Sequence, residues 1–359
     1  MITDIKKFAC AITDELKECL EQVEPEQAGK LYRDIKEADR VFVWAPGRCQ
    51  AMLRCFIARL TKAGKTAYVV GDTITPAIGE GDLLILASGA GHNIGVASIG
   101  ERARTFGAKV VLLTIVKESL CQSVSDYVVI IPGRTAACGG IGTSIQPGGG
   151  KYEQSMFLLL EAIAECYSAE KKEQTELTPG KLMETAVRLT DDIRSVIGTV
   201  EEARAEAVFL AVSLAAKRGK RVFVWSFAPR QITLMRCYLM RLMHMGVKAF
   251  VWGDTVCPEP EESDIFLVSD ASGRDEATKT VIRQMREKGA EVFLLTKDQN
   301  GRVEAGKELH FKVNERNDSD GTQLFEQSML ILLDAMIAKH SDVFGYEKSA
   351  AFKRHANLE

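Results

Sequence analysis

Arg54-Cys-Phe-Ile-Ala-Arg-Leu-Thr-Lys-Ala-Gly-Lys-Thr-Ala-Tyr-Val-Val-Gly-Asp-Thr73 lines up with Arg236-Cys-Tyr-Leu-Met-Arg-Leu-Met-His-Met-Gly-Val-Lys-Ala-Phe-Val-Trp-Gly-Asp-Thr255 at an offset of 182, and ten of the twenty positions are identical. Upstream, Val41-Phe-Val-Trp44 returns as Val222-Phe-Val-Trp225. Downstream, Tyr152-Glu-Gln-Ser-Met156 returns as Phe325-Glu-Gln-Ser-Met329 at an offset of 173, so the second copy is nine residues shorter in between. Self-similarity over such a span means that one structural unit is used twice.

Within the first copy, Val41–Trp44, Ala67–Val70, Leu83–Ala87, Val110–Ile115 and Tyr127–Ile131 are short aliphatic and β-branched runs without polar alternation, the pattern of strands buried on both faces. Helical patterns separate them at Ala51–Leu60, Ile94–Phe106 and Tyr152–Cys166. Alternating strands and helices predict a parallel sheet covered on both sides. Each copy opens with a helical segment, Ile5–Val23 and Lys181–Ile197, and Thr178-Pro-Gly180 marks the join. The expected domains are therefore residues 1–178 and 179–359.

Composition narrows the function classes. The 359 residues carry 46 basic and 49 acidic side chains, a net charge of −3, which lacks the basic bias of a nucleic-acid binder. With 46% hydrophobic and 26% charged residues, extended disorder is excluded. Nine scattered cysteines without a C-x-x-C pair read as buried thiols of a reducing compartment, and no metal site is expected. No apolar run is long and unbroken enough to span a membrane, so a cytoplasmic protein is expected, with neither nucleic acid nor membrane as partner.

Ligands of open parallel sheets bind beyond the carboxyl ends of the strands, where glycine loops and helix amino termini offer backbone N–H groups. Ser88-Gly-Ala-Gly91 stands at such a place, between the strand Leu83–Ala87 and the next helix, and suits a phosphate; a plain tight turn is the competing reading. Neither a dinucleotide fingerprint nor a phosphate loop is present: Gly95 falls one residue too far after Gly91, and Arg59 stands where the first glycine preceding Gly64-Lys-Thr66 would be. In the second copy the matching Asp270-Ala-Ser-Gly273-Arg-Asp-Glu276 crowds three carboxylates at the helix start, which makes it a weakened phosphate site or one filled by its own Asp270. Segment 133–150 holds seven glycines and no acid, and reads as a ligand-covering loop directly before Glu153; Glu153 and Glu326 also fit as ordinary first-turn carboxylates.

These residues together resemble the sugar isomerase (SIS) domain family, and within it the 6-phospho-3-hexuloisomerases. The resemblance rests on Gly47-Arg48, Ala58-Arg-Leu60, the Gly-Asp-Thr repeats, Ser88-Gly-Ala-Gly91 and Gln146-Pro-Gly-Gly-Gly-Lys-Tyr-Glu-Gln154, and covers about residues 5–168 and 181–340. It implies two tandem SIS domains packed as a pseudo-dimer, each an α/β unit with a five-stranded parallel sheet flanked by helices. It implies phosphorylated-sugar binding, no metal or organic cofactor, and a homo-oligomer, a dimer of tandem chains.

Carried over position by position, Glu153 and His244 are the proton-handling candidates, and Gly47, Arg48, Cys49, Ser88, Gly89, Ala90, Gly91, His92, Asn93 and Gln146 line the substrate. Cys49 and Ala90 stand where the family has serines, His92-Asn93 replaces Glu-Thr, Gly150 replaces Ser, and Lys62 replaces the family's histidine. The second copy keeps His244, Ser272 and Glu326 but offers only Pro229-Arg-Gln231 for the arginine-serine loop, so Lys62, Arg230, Ser272 and Glu326 mark a second, degenerate site.

Neither half is complete alone, which leads to the expectation of one composite site in which His244 serves Glu153. His244, flanked by Met243 and Met245, equally fits an interior histidine. The expected chemistry is isomerisation of a sugar phosphate through an enediolate, with a carboxylate base under a closed loop. A non-catalytic sugar-phosphate sensor is the alternative, since several family hydroxyls are gone. Fold alone does not choose between them.

Overall fold

The computed structural model describes residues 4–133, 144–173, 177–298, 307–313, 321–345 and 354. The described residues form two compact units: those between 14 and 191 make the first, and those between 192 and 358, with those up to 13, make the second.

Two amphipathic helices, α1 (Ile5–Glu21) and α2 (Pro25–Glu37), precede the first sheet. α2 starts on a proline, whose missing N–H is not needed at that position, and buries Ala28, Leu31, Tyr32 and Ile35 at helical spacing. The chain then runs β1 (Val41–Trp44), α3 (Gly47–Lys62), β2 (Ala67–Val69), β3 (Leu83–Ala87), α4 (Ile94–Thr105), β4 (Lys109–Thr114), a single turn α5 (Leu120–Ser123), β5 (Tyr127–Ile130) and α6 (Gly150–Glu173). α7 (Pro179–Thr199) and α8 (Glu202–Lys217) lead into the second sheet. There β6 (Arg221–Trp225), α9 (Pro229–His244), β7 (Lys248–Val251), β8 (Ile265–Ser269), α10 (Glu276–Glu287), β9 (Glu291–Thr296), β10 (Glu308–His310) and α11 (Thr322–Phe344) repeat the plan. α3 outruns the sequence pattern at both ends, spanning Gly47–Lys62 against the expected Ala51–Leu60, whereas α1 and α4 stop two residues and one residue short of the expected ends.

Both sheets are parallel and five-stranded, in the orders β2-β1-β3-β4-β5 and β10-β9-β8-β6-β7. Val43 pairs with Val69 on one side and Ile85 on the other; in the second sheet Val224 pairs with Val251 and Leu267. Every residue of β3 and of β8 is buried, as expected for strands covered on both faces, whereas the edge strands β2 and β7 are mostly half-exposed. The chain leaves β1 toward β2 and re-enters beside β1 as β3, so the crevice beyond the carboxyl ends of β1 and β3 is the topological switch point.

The same ion-paired brace closes the opposite end of each sheet. Arg40 grips Asp82 at 2.9 and 2.6 Å, and Arg221 grips Asp264 at 2.9 and 2.6 Å. Burial pushes the Asp264 carboxyl up, but the Arg221 guanidinium and the amides of Arg221 and Glu261 outweigh it and hold the group below the usual carboxylate range. Among the described residues no helix is long and apolar enough to cross a membrane.

Candidate active site

The first half of the site grows out of the end of β1. The Ala45 amide donates to Gln50 Oε1 at 2.8 Å, and Gly47 takes a φ of +56° that a side chain rarely adopts, so the strand turns at once into α3. This places Arg48 in the first turn, almost fully buried, with Nε 3.3 Å from Glu153 Oε2. Cys49, also buried, follows it. Glu153 sits in the first turn of α6, so the ion pair joins the amino-terminal turns of two helices, where a carboxylate is favoured by both dipoles.

The second half is the loop after β3. Ser88 is buried; its Oγ and its carbonyl both accept from the Gly91 amide, at 3.2 and 3.1 Å. Gly89 O accepts from the Ile115 amide and from Thr114 Oγ1, each at 3.1 Å, and Gly91 O accepts from the Cys121 amide at 2.9 Å. Gly91 has a φ of +71°, and a side chain there would run into Ser119. Asn93 caps α4 by accepting from the Val96 amide at 2.9 Å, while His92 is exposed. The glycines therefore shape a tight, internally bonded turn.

One carbonyl links the two halves. Leu113 O, near the end of β4, accepts from the Ser88 amide at 3.1 Å and from Tyr152 Oη at 2.7 Å. Tyr152 is fully buried, and burial pushes its hydroxyl well above the ordinary range, so it stays a donor. The residue beside Glu153 is thus anchored to the strand end from which the Ser88 loop hangs. Sequence reasoning missed Tyr152 and Gln50, whose hydrogen bonds to Leu113 O and from the Ala45 amide appear only in the structure.

Gln146 completes this neighbourhood. Its side-chain amide is buried and makes no hydrogen bond among the described residues, and a Cβ at Gly150 would lie 2.7 Å from its Oε1. Leaving such an amide unsatisfied costs about 1–3 kcal/mol, a penalty that a polar ligand at the start of α6 can remove. Most of the glycine-rich segment 133–150 expected to cover a ligand, residues 134–143, lies outside the described residues.

In the second unit Arg230 Nε pairs with Glu326 Oε2 at 2.7 Å, the counterpart of Arg48 and Glu153. The loop after β8 differs. Asp270 stands at the place of Ser88, and its carboxylate accepts from the Ser272 amide at 2.9 Å, Ser272 Oγ at 2.7 Å and the Asp275 amide at 3.1 Å. Asp275 caps α10 through the amides of Ala277 and Thr278, and Arg274 is drawn to Asp298 at 2.7 Å. Of the two readings open from the sequence, the turn is filled by its own Asp270. Lys62 is exposed in the last turn of α3, whereas His244, at the same repeat position, is buried at the end of α9.

A doubly wound parallel sheet with a glycine loop and a helix-start carboxylate at its switch point places this chain among the open-sheet α/β proteins. No protein-family model matches it. A stretch of 160 residues is 39% identical to the 3-hexulose-6-phosphate isomerase of Mycobacterium gastri, covering 45% of this chain and 80% of the relative. The protein of the same name from Bacillus subtilis is 30% identical over 158 residues, 44% of this chain and 85% of the relative. The chain belongs to this sugar isomerase family. In fold, it matches the C-terminal domain of glucosamine-fructose-6-phosphate aminotransferase from Francisella tularensis with a TM-score of 0.66, over 96% of this chain and 97% of that one, at 9% identity.

Proposed function

We propose that the first unit isomerises a ketose phosphate, interconverting 3-hexulose 6-phosphate and fructose 6-phosphate. The observation that carries this reading is the Arg48–Glu153 pair beside a Ser88 loop tied to Tyr152 through Leu113 O. In the reaction Glu153 removes the proton on C2 of the 3-hexulose, the electron pair forms the C2–C3 enediolate, and a proton returns to C3 while O2 becomes the carbonyl oxygen. The Ser88 turn holds the phosphate, whose binding energy positions the reacting carbons. Arg48 orients the Glu153 carboxylate.

The finer part of the proposal is that His244 serves the Glu153 centre by moving the proton between O2 and O3. It is supported by the repeat alignment, which gives this position an exposed lysine in one copy and a buried histidine in the other. The domain limits 1–178 and 179–359, and a dimer of tandem chains, are part of the same proposal.

The test is incubation with a panel of hexulose, hexose, pentose and heptose phosphates, following thermal stabilisation and product formation together. Turnover of fructose 6-phosphate to the 3-hexulose supports the proposal. Stabilisation without turnover across the panel favours the sensor reading, to which Cys49 and Ala90 in place of hydroxyls give a reason.

A further inference from the structure

A cavity of about 400 Å³ opens in the first unit between the sheet and α4, and none of its lining residues belongs to the candidate active site. Phe42 and Leu84 of the strands line it, as do Ile99 and Ala103 of α4 and Phe106 just after that helix, and Val70 with the segment 75–78 forms its outer wall. The wall is pinned. Thr75 Oγ1 donates to Val69 O at 2.6 Å, Arg40 donates to Ala77 O at 3.1 Å while gripping Asp82, and Asp82 accepts from the Gly79 amide at 2.7 Å. A wall fixed in this way keeps the space from collapsing. Arg102 is the one charged side chain of the lining, and Arg40 nearby is already neutralised by Asp82.

The second repeat carries bulkier side chains at three of the matching positions. Trp252 stands for Val70, Phe266 for Leu84, Met285 for Ala103 and Gln284 for Arg102. Trp252 meets Phe266 edge-on with ring centroids 6.3 Å apart, and Phe266 and Met285 are fully buried in one cluster. Three lining positions are thus larger in the second copy, while Ile99 and Phe106 give way there to Val281 and Lys288.

We propose that this cavity of the first unit binds a small apolar molecule bearing one carboxylate, with its hydrocarbon part against Val70, Ile78 and Phe106 and its carboxylate on Arg102. The volume lies within the range of roughly 300–1,000 Å³ found for small-molecule sites. An apolar lining with a single guanidinium at the mouth matches an amphiphilic anion and disfavours a polyhydroxylated sugar, whose hydroxyls would lose their hydrogen bonds to water.

Isothermal titration of the full chain with sodium octanoate, and in parallel with octan-1-ol, tests this. Octanoate is expected to saturate at one molecule per chain. The variant carrying Ala103→Met and Val70→Trp, which copies the second repeat, should bind it at least about tenfold more weakly with unchanged circular dichroism. Arg102→Gln should weaken octanoate by about tenfold and leave octan-1-ol unaffected, because only the carboxylate uses the guanidinium. Absence of saturable binding, or equal binding by the filled variant, overturns the proposal. So does a wild-type oligomer that Ala103→Met dissociates in sedimentation, since a second copy would then cover the cavity. No sugar-phosphate turnover enters the readout, so this test and that of the isomerase reading fail separately.

Discussion

The Asp270 carboxylate accepts both the amide and the hydroxyl of Ser272, at 2.9 and 2.7 Å, so a turn that Ser88 closes in the first unit with a neutral hydroxyl is closed in the second by a fixed negative charge. An incoming phosphate would meet occupied donors and like charge. Asp270→Ala is therefore expected to leave isomerase turnover unchanged and to lower stability by about 1–3 kcal/mol, the range for buried donors left without a partner. Urea denaturation with an activity assay on the same sample checks it, and a large loss of turnover would move the working site to the second unit.

Glu153→Gln keeps the size and the helix start but removes the proposed base. Turnover should fall by about 10²–10⁴-fold while fructose 6-phosphate still raises the melting temperature. Greater damage from Glu326→Gln than from Glu153→Gln would show that the wrong pocket was chosen.

His244→Ala should slow turnover with little change in sugar-phosphate binding. Lys62→Met, at the exposed equivalent position, should change neither. Equal activity of His244→Ala and wild type would remove the histidine from the mechanism and leave it as a packed core residue.

Acid stability follows from the braces. The folded-state pKa of Asp264 is depressed, so its contribution is fully present above the unfolded value of about 3.9 and is lost as pH falls through the lower folded value. Asp34 behaves likewise: burial raises it, but Tyr127, Lys109 and Lys30 together bring it below the usual range. Asp264→Asn should lower stability at neutral pH and flatten the decline between about pH 4 and pH 2, as measured by urea midpoints across that interval.

Gly91→Ala tests the turn itself. Its positive φ costs a side chain about 1–2 kcal/mol, and the contact with Ser119 adds strain, so the variant should be destabilised and should bind phosphosugar more weakly. Differential scanning fluorimetry with and without fructose 6-phosphate reads both effects.

By itself the sequence determined the duplication, the alternation of strand and helix in each copy, and the places where glycine loops leave the sheet. These follow from local causes: aliphatic runs that suit doubly covered strands, glycines that suit tight turns, and a repeat that needs no coordinates to be seen. What only the tertiary structure decided is which polar groups meet. Arg48 faces Glu153, Leu113 O is shared by Ser88 and Tyr152, Asp270 turns inward onto Ser272, and a cavity lies between the sheet and α4 of the first repeat. Arg48 and Glu153, and likewise Ser88, Leu113 and Tyr152, are distant along the chain and are brought together by strand order and by the packing of helices on the sheet, neither of which is written in the spacing of the residues concerned.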